Sequence, residues 1–202
     1  MPGAKQIADL ITVTRMLLGG LLVWLGLMQG TAGLSLACWL VIAAWTSDSL
    51  DGPIARHSQV YYHTWIGDHD LQIDMAFATA LLFYMTTAGF VAPWLMALYL
   101  LVWTLTFWHY GVVRALGMLF QIPIWGWFVV VGVGVAPAAG WWLVAWILAA
   151  AVVTWPRLSQ VMLPDFLLDM RYVWRQNHPG GHGSRLTNAQ LLPPTPRSAP
   201  IH

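Results

Sequence analysis

The sequence predicts an all-α polytopic membrane protein, and three features of its composition support that fold class. Of its 202 residues, 58% are hydrophobic and only 8% are charged, whereas about a quarter of the residues of a soluble domain are charged. Fourteen residues are Trp, a type enriched at membrane–water interfaces. The net charge of +1 offers no extended field for nucleic-acid phosphates, and a single cysteine, Cys38, excludes an internal disulfide. We therefore exclude an isolated soluble globule, a disordered chain and a nucleic-acid-binding protein.

Six apolar stretches are candidate membrane spans, since about 20 residues cross the hydrocarbon core as a helix. They cover residues 7–28, 31–46, 71–91, 93–113, 122–135 and 141–155. The fifth stretch contains Gly126, Gly132 and Gly134, which predicts close packing against a neighbouring helix. Residues 1–175 are thus expected to form one six-helix transmembrane domain. Residues 176–202, rich in Pro and Gly, are expected to form a flexible cytoplasmic tail.

The charged residues predict the orientation of these spans. The connections near residues 29–33, 88–93 and 136–140 contain no Lys, Arg, Asp or Glu, and all nine basic residues fall on the opposite side. The positive-inside rule places that basic side in the cytoplasm, together with both termini. An even number of spans also requires both termini on one side of the membrane.

Acidic residues are concentrated at the cytoplasmic ends of the second and third spans. Asp48 and Asp51 are three residues apart, and Asp70 and Asp74 are four apart, so each pair lies on one helix face. The stretch between the pairs allows the two helices to run antiparallel, which brings the four carboxylates toward one pocket. Clustered carboxylates repel each other unless cations neutralise them, and oxygen ligands suit Mg²⁺ or Mn²⁺. The sequence therefore predicts a polar, metal-binding pocket on the cytoplasmic side.

Residues between the two acidic pairs indicate a phosphate-containing ligand. Gly52 and Ala55 are small, which lets a ligand approach the backbone, and Arg56 carries a planar guanidinium that binds phosphate oxygens. Divalent metal ions, a guanidinium and a further carboxylate are together typical of sites for phosphoryl-type transfer.

This acidic segment resembles the signature of the CDP-alcohol phosphotransferase (CDP-alcohol phosphatidyltransferase) family. The family pattern is D-x2-D-G-x2-A-R followed by G-x3-D-x3-D, and seven of the eight fixed positions are found here, at Asp48, Asp51, Gly52, Ala55, Arg56, Asp70 and Asp74. The glycine of the second half lies one residue later than in the family pattern, at Gly67 and not at position 66. Residues Thr12 to Arg15 are similar to the T-x2-R of the family's first span.

The resemblance implies a membrane enzyme of phospholipid synthesis that transfers a substituted phosphate group from a CDP-alcohol to an alcohol acceptor and releases CMP. The expected donor is a CDP-linked lipid such as CDP-diacylglycerol, and the transferred group is then phosphatidyl. The expected acceptor is a small alcohol, such as glycerol 3-phosphate, or a lipid. Two divalent ions, Mg²⁺ or Mn²⁺, are the expected cofactors, and a homodimer surrounded by membrane lipids is the expected assembly.

The same resemblance assigns roles to individual residues. The metal ligands are expected to be Asp48, Asp51, Asp70 and Asp74, with Asp74 also acting as the general base on the acceptor hydroxyl. The CDP portion is expected to contact Asp48, Gly52, Ala55, Arg56 and Gly67. Arg114 and Arg157, at the predicted inner ends of the fourth and sixth spans, are candidate contacts for the acceptor, and each is equally a candidate membrane-interface anchor.

Three alternatives stay open at this point. A catalytically degenerate member of the family, indicated by the shifted Gly67, would act as a non-enzymatic membrane protein. An intramembrane prenyltransferase also uses aspartate motifs, and Asp70 and Asp74 have suitable spacing, but its two motifs normally lie in separate halves of a larger protein. A cation or proton transporter is disfavoured because the acids of this chain lie near one membrane face only.

Overall fold

The computed structural model describes the backbone of residues 3–57 and 70–157 and the side chains of 14–47 and 71–155. Every regular element in these ranges is helical, which confirms the all-α prediction for the described part of the chain. In order, the elements are α1 (Gly3–Met28), a 3₁₀-helix (Gly30–Gly33), α2 (Leu34–His57), α3 (Asp70–Thr87), α4 (Pro93–Tyr110), α5 (Arg114–Val135) and α6 (Pro137–Arg157). Gly67 and the predicted tail at 176–202 lie outside the described residues.

Within the described residues, three segments are long and apolar enough to cross a membrane: Gly30–Ser47, Arg114–Val135 and Pro137–Trp155. A shorter apolar segment covers Thr14–Met28. The helix α4 also has 18 residues but is not among these segments. Its three Trp, two Tyr, two Thr and one His lower its mean hydropathy. Large apolar side chains cover much of the outer surface, including Trp108 and Val153 at 89% and 80% exposure. A surface of this kind suits contact with lipid.

The core lies where α1, α2, α3 and α5 meet. Leu22, Val41, Leu81 and Phe128, one from each of these helices, are fully buried there. Cys38 of α2 is also buried in this core, as its apolar surroundings predict. The most extensive helix contact is between α1 and α3, whereas α4 lies at the edge and has no buried residue.

The connection between α4 and α5 differs from the prediction. The helix α4 ends at Tyr110, because Gly111 adopts a φ of 77° and donates its N–H to the carbonyl of Phe107. A glycine in this conformation ends a helix without strain. After the extended Val113, α5 begins at Arg114 and continues through Pro123. The predicted start at residue 122 is therefore wrong. Arg114, predicted at the inner end of the fourth span, is instead the exposed first residue of α5.

From their positions in the sequence, Trp125 and Trp127 are predicted to lie at inner membrane ends of the spans, but the early start of α5 places both well inside this helix. Trp125 packs in the interior against Trp45, with ring centroids 4.6 Å apart. The Trp127 indole donates a hydrogen bond of 3.3 Å to the carbonyl of Phe90, in the connection between α3 and α4. Since a helix rises 1.5 Å per residue, Trp127 lies about 20 Å along the axis from the first residue of α5.

The helices α5 and α6 approach closely at Gly132 and Gly140. A Cβ atom on Gly140 would lie 2.4 Å from the carbonyl carbon and oxygen of Gly132, so the backbone itself leaves no room for a side chain. The predicted close packing of the Gly-rich fifth helix is therefore confirmed at Gly132. Gly126 and Gly134 face open space, where an added Cβ would meet no atom within 4 Å.

We expect Gly140→Ala to destabilise the protein and Gly134→Ala to leave it unchanged or slightly stabilised. Both changes raise helix propensity by up to about 1 kcal/mol, but only the first forces two helix backbones apart, and overpacking typically costs about 1–3 kcal/mol. The measurement is the unfolding free energy of both variants in the same detergent. Equal stabilities for the two variants would contradict the close approach of α5 and α6.

Candidate functional site

An ion pair between Arg15 of α1 and Asp74 of α3 is the central polar feature of the described helices. Arg15 Nη1 donates to Asp74 Oδ1 at 2.5 Å. The side chain of Arg15 is 4% exposed and that of Asp74 is 33% exposed. Moving a charge out of water is costly, and an opposite charge in contact offsets part of that cost. The pair therefore joins two helices at positions that lie 59 residues apart in the sequence.

The two partners lie at matching depths in their helices. Met28 ends α1 and follows Arg15 by 13 residues, and Thr87 ends α3 and follows Asp74 by 13 residues. At 1.5 Å per residue, about 20 Å of apolar helix separates the pair from the opposite end of the bundle in both cases. Ionisable groups within apolar helices are costly, and they indicate a functional site by default.

A polar cavity of about 140 Å³ lies beside this ion pair. Four helices line it, through Arg15 of α1, Ala44 and Trp45 of α2, Asp74 and Phe77 of α3, and Gln121 and Trp125 of α5. The volume is sufficient for several water molecules or for a small polar ligand. We call this space the Asp74 cavity.

Aromatic rings form the apolar wall of the Asp74 cavity. The ring of Trp125 lies 4.6 Å from that of Trp45 and stacks on Phe77 at 5.8 Å, measured between centroids. The Trp125 indole also points its Nε1 at Gln121 Oε1, 3.5 Å away and one helical turn earlier. Because these rings come from three packed helices, the shape of the wall is determined by the core and not by a loop.

The helix register relates the predicted acidic positions to this cavity. Ala44 lines the cavity, and Asp48 and Asp51 follow it by four and seven residues on α2. Positions at this spacing lie on one helix face, one and two turns further along. Asp70 is the first residue of α3 and precedes Asp74 by one turn. The side chains of Asp48, Asp51 and Asp70 lie outside the described ones.

The remaining predicted site residues fall at the ends of the helices. Arg114, at the start of α5, is exposed and precedes Gln121 by seven residues, which is two turns on the same face. Arg157 is the last residue of α6. Three further positions lie in the last two turns of α2, namely Gly52, Ala55 and Arg56. Of this group, only Arg114 has a described side chain, and Gly67 lies outside the described residues altogether.

The metal prediction depends mainly on residues whose side chains are not described. Among the described side chains, Asp74 is the one acidic residue, and no group of three or more His, Cys, Asp or Glu could hold a metal ion. The backbone nevertheless places Asp48, Asp51 and Asp70 within two turns of cavity-lining residues. A donor set made of carboxylate oxygens fits Mg²⁺ or Mn²⁺.

Sequence reasoning does not place Arg15 and Gln121 beside Asp74. From the sequence, Arg15 contributes only to the positive-inside pattern and to the resemblance of the first span. A usable signal exists, because an Arg inside an apolar helix needs a partner, and Asp74 is at the matching depth in another helix. No comparable signal marks Gln121, since an isolated Gln carries no charge that must be paired.

Comparisons with models of protein families, with curated proteins and with solved structures find no match for this chain. The resemblance of residues 48–74 therefore stays a prediction from the motif. The function is inferred from the Asp74 cavity and from the positions of the acidic residues on the two helices beside it.

We expect Arg15→Met to destabilise the protein, because it removes the buried guanidinium that contacts the partly exposed carboxylate of Asp74. Removing one partner of a fully buried ion pair typically costs about 3–5 kcal/mol, and the partial exposure of Asp74 lowers the expected cost here, whereas replacing both partners with apolar residues is often close to neutral. The double variant Arg15→Met with Asp74→Leu should therefore be more stable than Arg15→Met alone. The exposed Arg114 offers a matched control, and Arg114→Met should change stability by no more than about 0.5 kcal/mol.

Unfolding free energies of the four proteins in one detergent provide the measurement. If Arg15→Met and Arg114→Met cost the same, or if the double variant is the least stable of all, the ion pair does not hold α1 against α3.

Proposed function

We propose that this chain is a six-span membrane enzyme that transfers a substituted phosphate group, such as phosphatidyl, from a CDP-linked donor to an alcohol and releases CMP. The observation that carries the proposal is the Asp74 cavity, which continues the helix faces on which Asp48, Asp51 and Asp70 lie. A small cavity lined by one partly buried carboxylate, next to positions for three more, suits a reaction between a hydroxyl group and a phosphate ester.

Helix lengths and charges support six spans with both termini in the cytoplasm. Every one of the six described helices has at least 18 residues, and 18 residues extend about 27 Å, close to the hydrocarbon thickness of about 30 Å. The connections at residues 29–33, 88–92 and 136 carry no charge, while Arg114 and Arg157 lie at the opposite ends of their helices. This distribution is typical of a cytoplasmic side rich in Arg.

Within this proposal, the aspartates would hold two Mg²⁺ or Mn²⁺ ions, with Asp48, Asp51, Asp70 and Asp74 as the ligands. Bound divalent ions neutralise the charge that develops on a pyrophosphate group. The residues for the CDP portion would be Asp48, Gly52, Ala55, Arg56 and Gly67, in the last turns of α2 and the segment after it. Their small side chains and single guanidinium allow close approach to the backbone and planar contacts to phosphate oxygens.

The reaction would be a single displacement at the β-phosphorus. The acceptor oxygen forms a new bond to that phosphorus, the bond from phosphorus to the bridging oxygen of CMP breaks, and CMP leaves with the electron pair. Asp74 accepts the proton of the acceptor hydroxyl, since a carboxylate within reach of the attacking oxygen can act as a general base. Arg15 would be a positioning residue, because its contact with Asp74 Oδ1 orients the carboxylate.

A second candidate is a non-enzymatic membrane protein derived from this family. The ion pair favours this non-enzymatic candidate, because Asp74 has a structural role in joining α1 to α3. In that case the Asp74 cavity would be a by-product of helix packing. Only the enzyme candidate releases CMP, so an assay of CMP release distinguishes the two candidates.

The six-span topology predicts labelling from one side only. Cysteine introduced by Ala138→Cys, at an exposed position near the start of α6, should react with an impermeant thiol reagent added outside intact cells. Cysteine introduced by Ser184→Cys should react only after the membrane is opened. The native Cys38 is buried and provides the background. The reverse labelling pattern would contradict the proposed position of the site.

Turnover is predicted to depend on the acidic segment and on divalent ions. Purified protein with Mg²⁺ or Mn²⁺, CDP-diacylglycerol and a panel of alcohols should release CMP, and a chelator should abolish the release. Asp51→Asn should abolish it as well, because the amide carries no negative charge for the metal ions. Asp74→Asn removes a general base, a loss that typically lowers rates by about 10² to 10⁴.

The matched control is Asp165→Asn, which changes an acid outside the signature and should leave CMP release unchanged. Absence of CMP release from the unmodified protein with every donor and acceptor in the panel would favour the non-enzymatic candidate. Equal loss of activity in Asp165→Asn and Asp51→Asn would show that the assay reports folding and not the site.

A further inference from the structure

A second cavity, of about 350 Å³, lies between the helices α3, α4 and α5. Its walls include Leu82 of α3, Met96 and Tyr99 of α4, and Ile124 and Trp127 of α5, and we call it the α4 cavity. We propose that it binds an acyl chain of a membrane phospholipid from the leaflet opposite the Asp74 cavity. This proposal rests on the six-span arrangement proposed above, but not on the proposed reaction.

The α4 cavity lies in the half of the bundle away from the Asp74 cavity. Leu82 follows Asp74 by eight residues on α3, which is about 12 Å along the helix axis. From there the cavity extends to Phe90 and Ala92, in the connection between α3 and α4. This connection is uncharged and lies on the proposed non-cytoplasmic side. The α4 cavity is therefore separate from the site proposed for the donor and the acceptor.

The opening of the α4 cavity lies between α4 and α5. Leu95, Pro123 and Trp127 are the lining residues that are exposed at the surface, so they mark the opening. Leu82 and Ile124 are buried behind them. An opening on the side of a membrane-spanning bundle faces the hydrocarbon chains of the bilayer, which therefore have direct access to this space.

The walls of the α4 cavity match an uncharged, apolar chain. Residues 75–113 and 115–156, which include every described lining residue, contain no Asp, Glu, Lys or Arg. The two lining side chains that carry an O–H or N–H group are both engaged, since Tyr99 donates to the carbonyl of Phe120 and Trp127 to that of Phe90. A buried water needs about two to four polar partners. The lining thus favours a chain of methylene groups over water or a polar ligand.

An acyl chain in this cavity supplies packing for α4. No residue of α4 is buried, although Leu95, Met96 and Tyr99 lie on one face of the helix and line the cavity. Each close contact between apolar atoms adds dispersion energy, and many such contacts together are substantial. The flexible side chain of Met adapts to irregular shapes, which suits contact with a chain that has many conformations.

Photolabelling of the full-length protein tests this proposal. The protein is placed in nanodiscs, one copy per disc, with a phospholipid that carries a diazirine near the end of an acyl chain, and mass spectrometry locates the adducts. We expect Met96 and Ile124 to be labelled at least as strongly as Leu98, which is exposed on α4 and does not line the cavity. Because the walls carry no charge, probes with choline and with glycerol headgroups should give the same pattern.

Two substitutions on α4 provide a matched pair. Leu95 and Leu98 are 45% and 50% exposed, but of these two only Leu95 lines the cavity. Leu95→Trp places a large side chain at the opening and should abolish the adducts on Met96 and Ile124. Leu98→Trp should leave those adducts unchanged.

Adducts confined to exposed residues of the unmodified protein would overturn the proposal, and this comparison stands even if Leu95→Trp fails to fold. Equal loss of the interior adducts in both Trp variants would overturn it as well, and so would labelling by only one of the two headgroup probes. A second copy of this chain is the rival occupant, and it would be identified by interior adducts that disappear when each nanodisc holds two copies. None of these results depends on CMP release, so the failure of the proposed reaction and the failure of this proposal are distinguishable.

Discussion

A partly buried ion pair between Arg15 and Asp74 is the constraint on which the arrangement of the helices depends. The Arg15 guanidinium is buried and needs a partner, and the partly exposed Asp74 supplies it, so α1 and α3 pack at the depth and rotation that bring the two side chains together. Small residues allow this approach. Gly26, near the carboxyl end of α1, lies against Tyr84 and Thr87 of α3, where an added Cβ atom would collide with Thr87 and press against Tyr84.

The same constraint produces the cavity. Once α1 and α3 are fixed, α2 and α5 close the space beside Asp74 with Ala44 and Gln121, and the rings of Trp45 and Trp125 fill the apolar side. Ala44 is too small to fill the space between the helices, which leaves volume next to a charged group. Among the described residues, the walls of this cavity come from the packing of four helices.

The geometry of the ion pair is compatible with two roles, one structural and one catalytic. A structural pair holds two helices together and needs no ligand. A pair whose carboxylate lines a cavity also positions a proton acceptor beside a bound hydroxyl. The register of α2 favours the catalytic role, because Asp48 and Asp51 lie one and two turns beyond the cavity-lining Ala44. Helix stability alone does not require acids at the carboxyl end of a helix, where the dipole disfavours them.

The sequence by itself determined the all-α fold class and the apolar character of the helices, because composition and the length of apolar stretches are local properties. It also determined that each aspartate pair shares a helix face, since that follows from spacing alone. The start of α5 at Arg114 was not predicted from the sequence, although Gly111 ends α4 and α5 continues through Pro123. Only the tertiary structure decided that Arg15, Asp74 and Gln121 share one cavity. Residues so far apart in the sequence meet through the packing of whole helices, which no local pattern encodes.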